Sequence, residues 1–476
     1  MFASLVLLAL FFGSPSQESS IPLGQIVEKV TCAQDPAQSY ALYLPRAYDK
    51  TRKWPVLYAF DPGARGRVPV ERFKDAAEQF GWIVVGSNNS RNASIQSSLD
   101  SWNAMIRDTT DKFSIDDGRA YAAGFSGGAR VALTFATQCK DCLAGVIAGG
   151  AGFPPGIEPA ATMRFAIFAI AGLEDFNFPE IKELDDKLAR VNIPHQIAIW
   201  EGRHEWPPSA VAAEAVAWME LTAMKSGRRE RDARLIESLW AQQLKQAQQL
   251  EQAKRLFESY QAYLKLSSSF KGLHEVAEAD DKLNALRASR EVREAIRDEQ
   301  QQIKKQNELE GQLIDLLAAA DRAKLREEQP ERNTAAVTDE SADPDFRLKV
   351  LIGGLRRQSK AEEDSATRRV ARRVLSGQYV GLSERASNAL QTLKRYDDAI
   401  RLYTLATEID PERPGAFYNL AWAYAAKGDK KKALKALQTA AEKGFKDHAA
   451  VSANSAFASL RSDPAYLQLI ERMRTN

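Results

Sequence analysis

The chain has 476 residues, with 65 Lys and Arg against 63 Asp and Glu and a formal net charge of +2. Such a length implies about two to four compact units rather than one domain. Interspersed, balanced charge gives no electrostatic argument for nucleic acid, which requires a basic face or stripe, so no nucleic-acid partner is expected.

The chain opens MFASLVLLALFFGSPSQ, with eight apolar residues from Leu5 to Phe12 followed by small residues and a proline. Such a run suits the core of a signal peptide over 1–18 and is too short to span a bilayer, although no Lys or Arg precedes it. A periplasmic or secreted protein with no stable membrane anchor is expected. Fourteen of the 19 prolines and seventeen of the 27 glycines lie before residue 210, and no proline falls between 209 and 329. A turn-rich first unit at 22–225 therefore gives way to uninterrupted helix.

Within the first unit the runs QIVEKVTCA, SYALYLP, PVLYAF, GWIVVGS, RAYAAG, AGVIAGG, FAIFAIAG and HQIAIW are short and apolar. Helical stretches such as VERFKDAAEQF, ARVALTFATQ and FPEIKELDDKLARV separate several of them. This alternation predicts the α/β class, a mostly parallel sheet covered on both faces, with ligands outside the carboxyl ends of the strands. Cys139 and Cys142 stand at C-x-x-C spacing with no second pair or nearby histidine, which argues against zinc. In an exported chain one disulfide is expected among Cys32, Cys139 and Cys142, with the third cysteine buried.

Residues 228–330 read as long helices with an apolar stripe through Ile236, Trp240, Leu244 and Phe257, and the charged second half fits either a coiled-coil arm or an antiparallel hairpin. The polar segment 331–345 reads as a linker. The basic run TRRVARR at 367–373 lies beside AEED and reads as a solvated helix face. In 346–476, residues 380–413 align with 414–447: Ala399, Tyr403 and Ala406 fall opposite Ala433, Leu437 and Ala440, each offset by 34. With Leu420, Ala421, Tyr424 and Gly428 completing the second copy, this segment resembles the tetratricopeptide family, apart from Ala386 where Leu is usual. The resemblance implies helix-turn-helix repeats that dock a protein partner. Two copies need helices on either side, DPAYLQLIERM among them.

The chemistry centres on YAAGFSGGAR, where Ser126 lies between Gly124 and Gly128 in a G-x-S-x-G pattern just after a strand. A nucleophilic serine needs a base. Of the four histidines, His448 and His274 lie in helical regions and His195 opens a strand, which leaves His204 in the turn WEGRHEWPPS. The acid is expected after the preceding strand, in AGLED: Asp175, with Glu174 as the fallback. Asn88, Asn89 and Arg91 in GSNNSRNAS either bind substrate or satisfy a turn. No phosphate loop, nucleotide fingerprint or metal cluster is visible, and no cofactor is expected.

The order Ser126, Asp175, His204, together with SYALYLP, PVLYAFDPG, the serine stretch and the GRHEWP loop, makes residues 38–222 resemble secreted esterases of the α/β-hydrolase fold. That group includes feruloyl esterases and polyhydroxybutyrate depolymerases. The resemblance implies a three-layer α/β-hydrolase fold followed by an all-α region with helical repeats, and an ester substrate, small or polymeric, cleaved through an acyl-enzyme. It also implies an oxyanion hole at Gly63 and Gly127. Where the family has His-Gly after the third strand this chain has Asp61-Pro62-Gly63, and Pro62 has no N–H to donate. That departure supports a second reading, a weakly active or inactive ligand-binding module whose repeats form an interaction scaffold.

Overall fold

The computed structural model describes residues 21–92, 95–327 and 343–475, without the side chains of 324–327. The expected signal segment 1–18 and most of the expected linker lie outside the described residues. Among the described residues no helix is long and apolar enough to cross a membrane.

The eight apolar runs form one sheet: β1 (Ile26–Thr31), β2 (Ser39–Tyr43), β3 (Trp54–Phe60), β4 (Ile83–Ser87), β5 (Ile115–Phe125), β6 (Gly145–Gly149), β7 (Ala166–Gly172) and β8 (His195–Trp200). Their spatial order is β1-β2-β4-β3-β5-β6-β7-β8. β1 and β2 are antiparallel to their neighbours, and every pairing from β4 through β3 to β8 is parallel. Every residue of β3, β4, β6 and β7 is buried, which is why these strands read as unbroken apolar runs without alternation.

Five helices cover the two faces: α1 (Arg67–Phe80), α2 (Ile95–Lys112), α3 (Gly127–Gln138), α4 (Phe178–Arg190) and α5 (Ser209–Lys225). α1 and α5 enclose one core layer around Phe73, Trp82, Trp206 and Trp218. α2, α3 and α4 enclose the other around Trp102, Phe135, Ile181 and Leu184. Cys139 and Cys142 form a disulfide just beyond α3, and Cys32 is buried.

The next helices, α6 (Ala233–Gln252), α7 (Leu256–Phe270) and α8 (Ala277–Ala288), pack on α5 through Leu221, Met224, Trp240, Tyr263 and Phe270. α9 (Arg290–Glu327) starts in that cluster with Val292 and continues into the next through Leu309, Leu313 and Leu317. The coiled-coil alternative for this region is thus not what forms: α9 packs along its length on helices of both regions, because its apolar positions are spread over two separate cores.

α10 (Pro344–Ser359) and α11 (Ala366–Gln391) meet α9 and lead into α12 (Tyr396–Ile409), α13 (Pro414–Lys427), α14 (Lys430–Glu442), α15 (His448–Ala453) and α16 (Pro464–Thr475). Ala399, Tyr403 and Ala406 of α12 and their 34-residue counterparts Ala433, Leu437 and Ala440 of α14 are all buried. Ala386 is fully buried in the same core, in the last turns of α11 that serve as the first helix of the repeat.

One expectation fails here. TRRVARR is not a solvated face: Val370 and Ala371 are core residues, Arg373 is 1% exposed with its guanidinium over the Phe178 ring, and Arg372 pairs with Glu174. The run lies where α11 packs on the α/β domain, so its charge is spent on an internal interface.

Candidate active site

Ser126 stands at the carboxyl end of β5, immediately before α3, with φ 54° and ψ −121°. A non-glycine residue with positive φ is held only where its surroundings enforce it, and here the Ser126 N–H donates to Gly149 O at 2.7 Å. The flanking glycines allow the turn to close. A Cβ on Gly124 would lie 2.1 Å from the Gly128 carbonyl carbon, and one on Gly128 would lie 2.0 Å from Phe60 O.

His204 arrives on the loop between β8 and α5, and Asp175 on the loop between β7 and α4. The two loops are joined by backbone bonds, Leu173 N–H to Trp200 O (2.8 Å) and Glu174 N–H to Gly202 O (2.9 Å). Asp175 Oδ1 accepts from His204 Nδ1 at 2.8 Å and from the Asn177 N–H at 2.8 Å. With Nδ1 donating, His204 Nε2 is left to accept from the Ser126 hydroxyl, 2.9 Å away. The imidazole is clasped between Phe125 and Phe176, whose ring centroids lie 4.7 and 4.0 Å from its own.

Glu174, the fallback acid, points away and pairs with Arg372 at 2.6 Å and Arg203 at 3.4 Å. Two of the other histidines are engaged elsewhere, His195 Nε2 lying 3.1 Å from Asp185 and His274 stacking on Trp240, and His448 opens α15 in the repeat region.

The remaining candidates divide. Gly127 lines a cavity of about 440 Å³ together with Ser126, and its amide has no hydrogen-bond partner among the described residues. Gly63 corrects the expectation: its N–H is taken by Asp61 Oδ1 at 2.8 Å, so it is not a free oxyanion donor in this structure. The cause is the residue that replaces the usual histidine. Asp61 is fully buried and also accepts from Trp206 Nε1 (2.9 Å) and from Arg65 Nε and Nη2 (2.8 and 3.0 Å). Burial pushes its carboxyl up, but the bonds from Arg65, Trp206 and Gly63 outweigh this and hold it below the usual range.

Arg91 lines the Ser126 cavity, whereas Asn88 and Asn89 do not. Asn88 Nδ2 donates to Glu28 O (3.1 Å). Asn89 bridges Ala37 O (3.0 Å) and the Ser39 N–H (2.9 Å), so the two asparagines satisfy backbone groups of β1, of β2 and of the turn that joins them. Asn92, which the sequence reading passed over, takes the place expected for them. It lines the cavity, and its amide group lies so close to Gly127 that a Cβ there would be 1.7 Å from Oδ1 and 2.9 Å from Nδ2. Val380 and Glu384 of α11 form the far wall of the same cavity.

A mostly parallel sheet in this order, a serine on a strained turn after β5, and acid and histidine loops after β7 and β8 define the α/β-hydrolase fold. The chain joins that fold to a helical region with a tetratricopeptide repeat, whose family model matches residues 390–454. Among curated proteins none matches this chain. Solved structures similar to it include an S-formylglutathione hydrolase from Staphylococcus aureus, 15% identical over 42% of this chain and 98% of that one, with a TM-score of 0.35. A ferulic acid esterase is 17% identical over 42% and 98%, with a TM-score of 0.35. A variant of the feruloyl esterase module from Clostridium thermocellum, complexed with sinapinate, is 19% identical over 40% and 85%, with a TM-score of 0.33.

Proposed function

We propose that the protein is a serine hydrolase that cleaves carboxylic esters through Ser126, His204 and Asp175. The observation that carries this reading is the unbroken chain from Asp175 Oδ1 through both ring nitrogens of His204 to Ser126 Oγ, at 2.8 and 2.9 Å. Ser126 Oγ attacks the ester carbonyl while its proton passes to His204 Nε2, and Asp175 holds the tautomer and stabilises the imidazolium without taking the proton. His204 then protonates the departing alcohol oxygen, and a water, deprotonated by the same nitrogen, hydrolyses the acyl-serine. The Gly127 N–H is the first oxyanion donor, and the Asn92 side-chain amide beside it is the second. The tetratricopeptide match over 390–454 supports a protein partner for the repeats. The Cys139–Cys142 disulfide supports export to an oxidising compartment, periplasmic or extracellular.

The bond between Gly63 and Asp61 favours one alternative, a poorly active hydrolase-fold binding module that serves the repeats. A fluorophosphonate probe separates the two. It labels the wild type and not Ser126→Ala if the hydrolase reading holds, and absence of labelling in the folded wild type sinks it.

A further inference from the structure

We propose that the cleft between the histidine loop and the repeat domain selects esters whose alcohol half carries an anionic group, held by Arg356, Lys360 and Arg413. This rests on the hydrolase reading above and extends it to a substrate class. His204 must hand its proton to the leaving oxygen, so the alcohol half sits on the His204 side of the serine. Two cavities flank the three reacting side chains. One holds Ser126, Gly127 and Asn92 and suits the acyl half. The other, of about 710 Å³, has His204 in one wall and the end of α10, α11 and the α12–α13 turn in the opposite wall.

The charges of this second cavity are not all matched. Glu174 is engaged by Arg372 and Arg203, and Glu412 by Lys443 from outside the lining. Arg356, Lys360 and Arg413 have no carboxylate partner among the described residues, and Glu205 and Asp410 are the carboxylates of the wall that remain to face them. Arg356 lines the cavity with its Nε buried and without an acceptor, which leaves the guanidinium free of any competing carboxylate. An anion in the cavity supplies acceptors for the cationic side chains that line it. Arg413 is already oriented, with its guanidinium 4.2 Å over the Tyr379 ring. Two guanidiniums whose positions are set by packing offer planar donors suited to a carboxylate.

The test compares kcat/KM for 4-acetoxybenzoate, which carries its carboxylate on the leaving group, with that for its neutral methyl ester, each divided by its uncatalysed hydroxide rate. Phenyl hydrogen succinate carries the charge on the acyl side instead. The expected preference for 4-acetoxybenzoate is about tenfold, and Arg356→Gln or Arg413→Gln each reduces it several-fold, through KM more than kcat. Arg413 is exposed, so its variant tests the idea even if Arg356→Gln fails to fold. Calorimetric titration of the product 4-hydroxybenzoate reads the same site without turnover, with binding expected in the wild type and weakened in both variants. Equal use of charged and neutral esters, a preference for the acyl-side charge, or 4-hydroxybenzoate binding untouched by both substitutions overturns the proposal. Labelling of Ser126 without the preference leaves the hydrolase reading intact. Absence of labelling fails that reading, and the calorimetric result then decides the site alone.

Discussion

Replacing Asp61 with alanine removes a carboxylate that ties the β3 turn to the histidine loop, and the loss can be worked out donor by donor. Trp206 Nε1 loses its acceptor in a buried site, where an unpaired donor costs about 1–3 kcal/mol, whereas Gly63 is exposed and water replaces the carboxylate at its N–H. The Arg65 side chain is 63% exposed, so water replaces its partner and the ion pair contributes about 0–1 kcal/mol. The sum is a loss of about 1–4 kcal/mol, to be read by urea unfolding of wild type and variant at pH 7. The isosteric Asp61→Asn adds a test of charge. The folded carboxyl is depressed, so its contribution is fully present above the ordinary carboxylate value of about 3.9 and is lost as pH falls through the lower folded value. The stability gap between wild type and Asp61→Asn is therefore flat from about pH 5 to 8 and closes below about pH 4. A loss under about 1 kcal/mol for Asp61→Ala, or a gap unchanged into acid, refutes the reasoning.

Two further outcomes follow from the site. Asn92→Ala lowers kcat by about 100-fold to 1000-fold with KM little changed if its amide stabilises the oxyanion, as steady-state rates on an aryl ester will show. Gly377→Leu forces Phe176 aside, because even a Cβ at Gly377 lies 3.2 Å from Phe176 Cβ and the Phe176 ring packs against His204. A displacement of about 1 Å costs on the order of 100-fold in kcat, measured beside the melting temperature so that lost activity is separated from lost fold.

The strands were legible because parallel strands covered on both faces must be apolar throughout, a demand satisfied locally by Val, Ile and Ala. The 34-residue offset was legible because small residues recur wherever repeat helices cross closely. α2 was passed over: its Ile95–Lys112 segment buries Ser98, Ser101 and Thr109 beside Trp102 and Met105, so its inner face carries little apolar contrast. Ser126, Asp175 and His204 could be singled out because each follows a strand end in order, and the fold brings their side chains within hydrogen-bond reach. Asn88 and Asn92 were not separable, since residues four apart in one Asn-rich loop differ only in what the tertiary fold brings to them. Asp61 stood out as a departure, but its capture of Gly63 and Trp206 depends on a residue 145 positions away.

The largest gap concerns the helical region, which sequence alone presents as a separate module. In the structure it grips the acid loop from several sides. Gln306 of α9, fully buried, donates its Nε2–H to Phe176 O at 2.8 Å, and Arg372 of α11 holds Glu174 one residue before Asp175. Gly377 of α11 lies against Phe176, and Arg373 covers Phe178 at the start of α4. A loop held by its own neighbours would keep the same geometry with or without the repeats. This one takes part of its contacts, at Glu174, Phe176 and Phe178, from α9 and α11, so any shift of those helices is felt first at Phe176 and then, through the ring contact, at His204. The repeat region and the α/β domain are therefore mechanically one unit at the Glu174–Phe178 loop, and a displacement of α11 would be passed to Phe176 and His204.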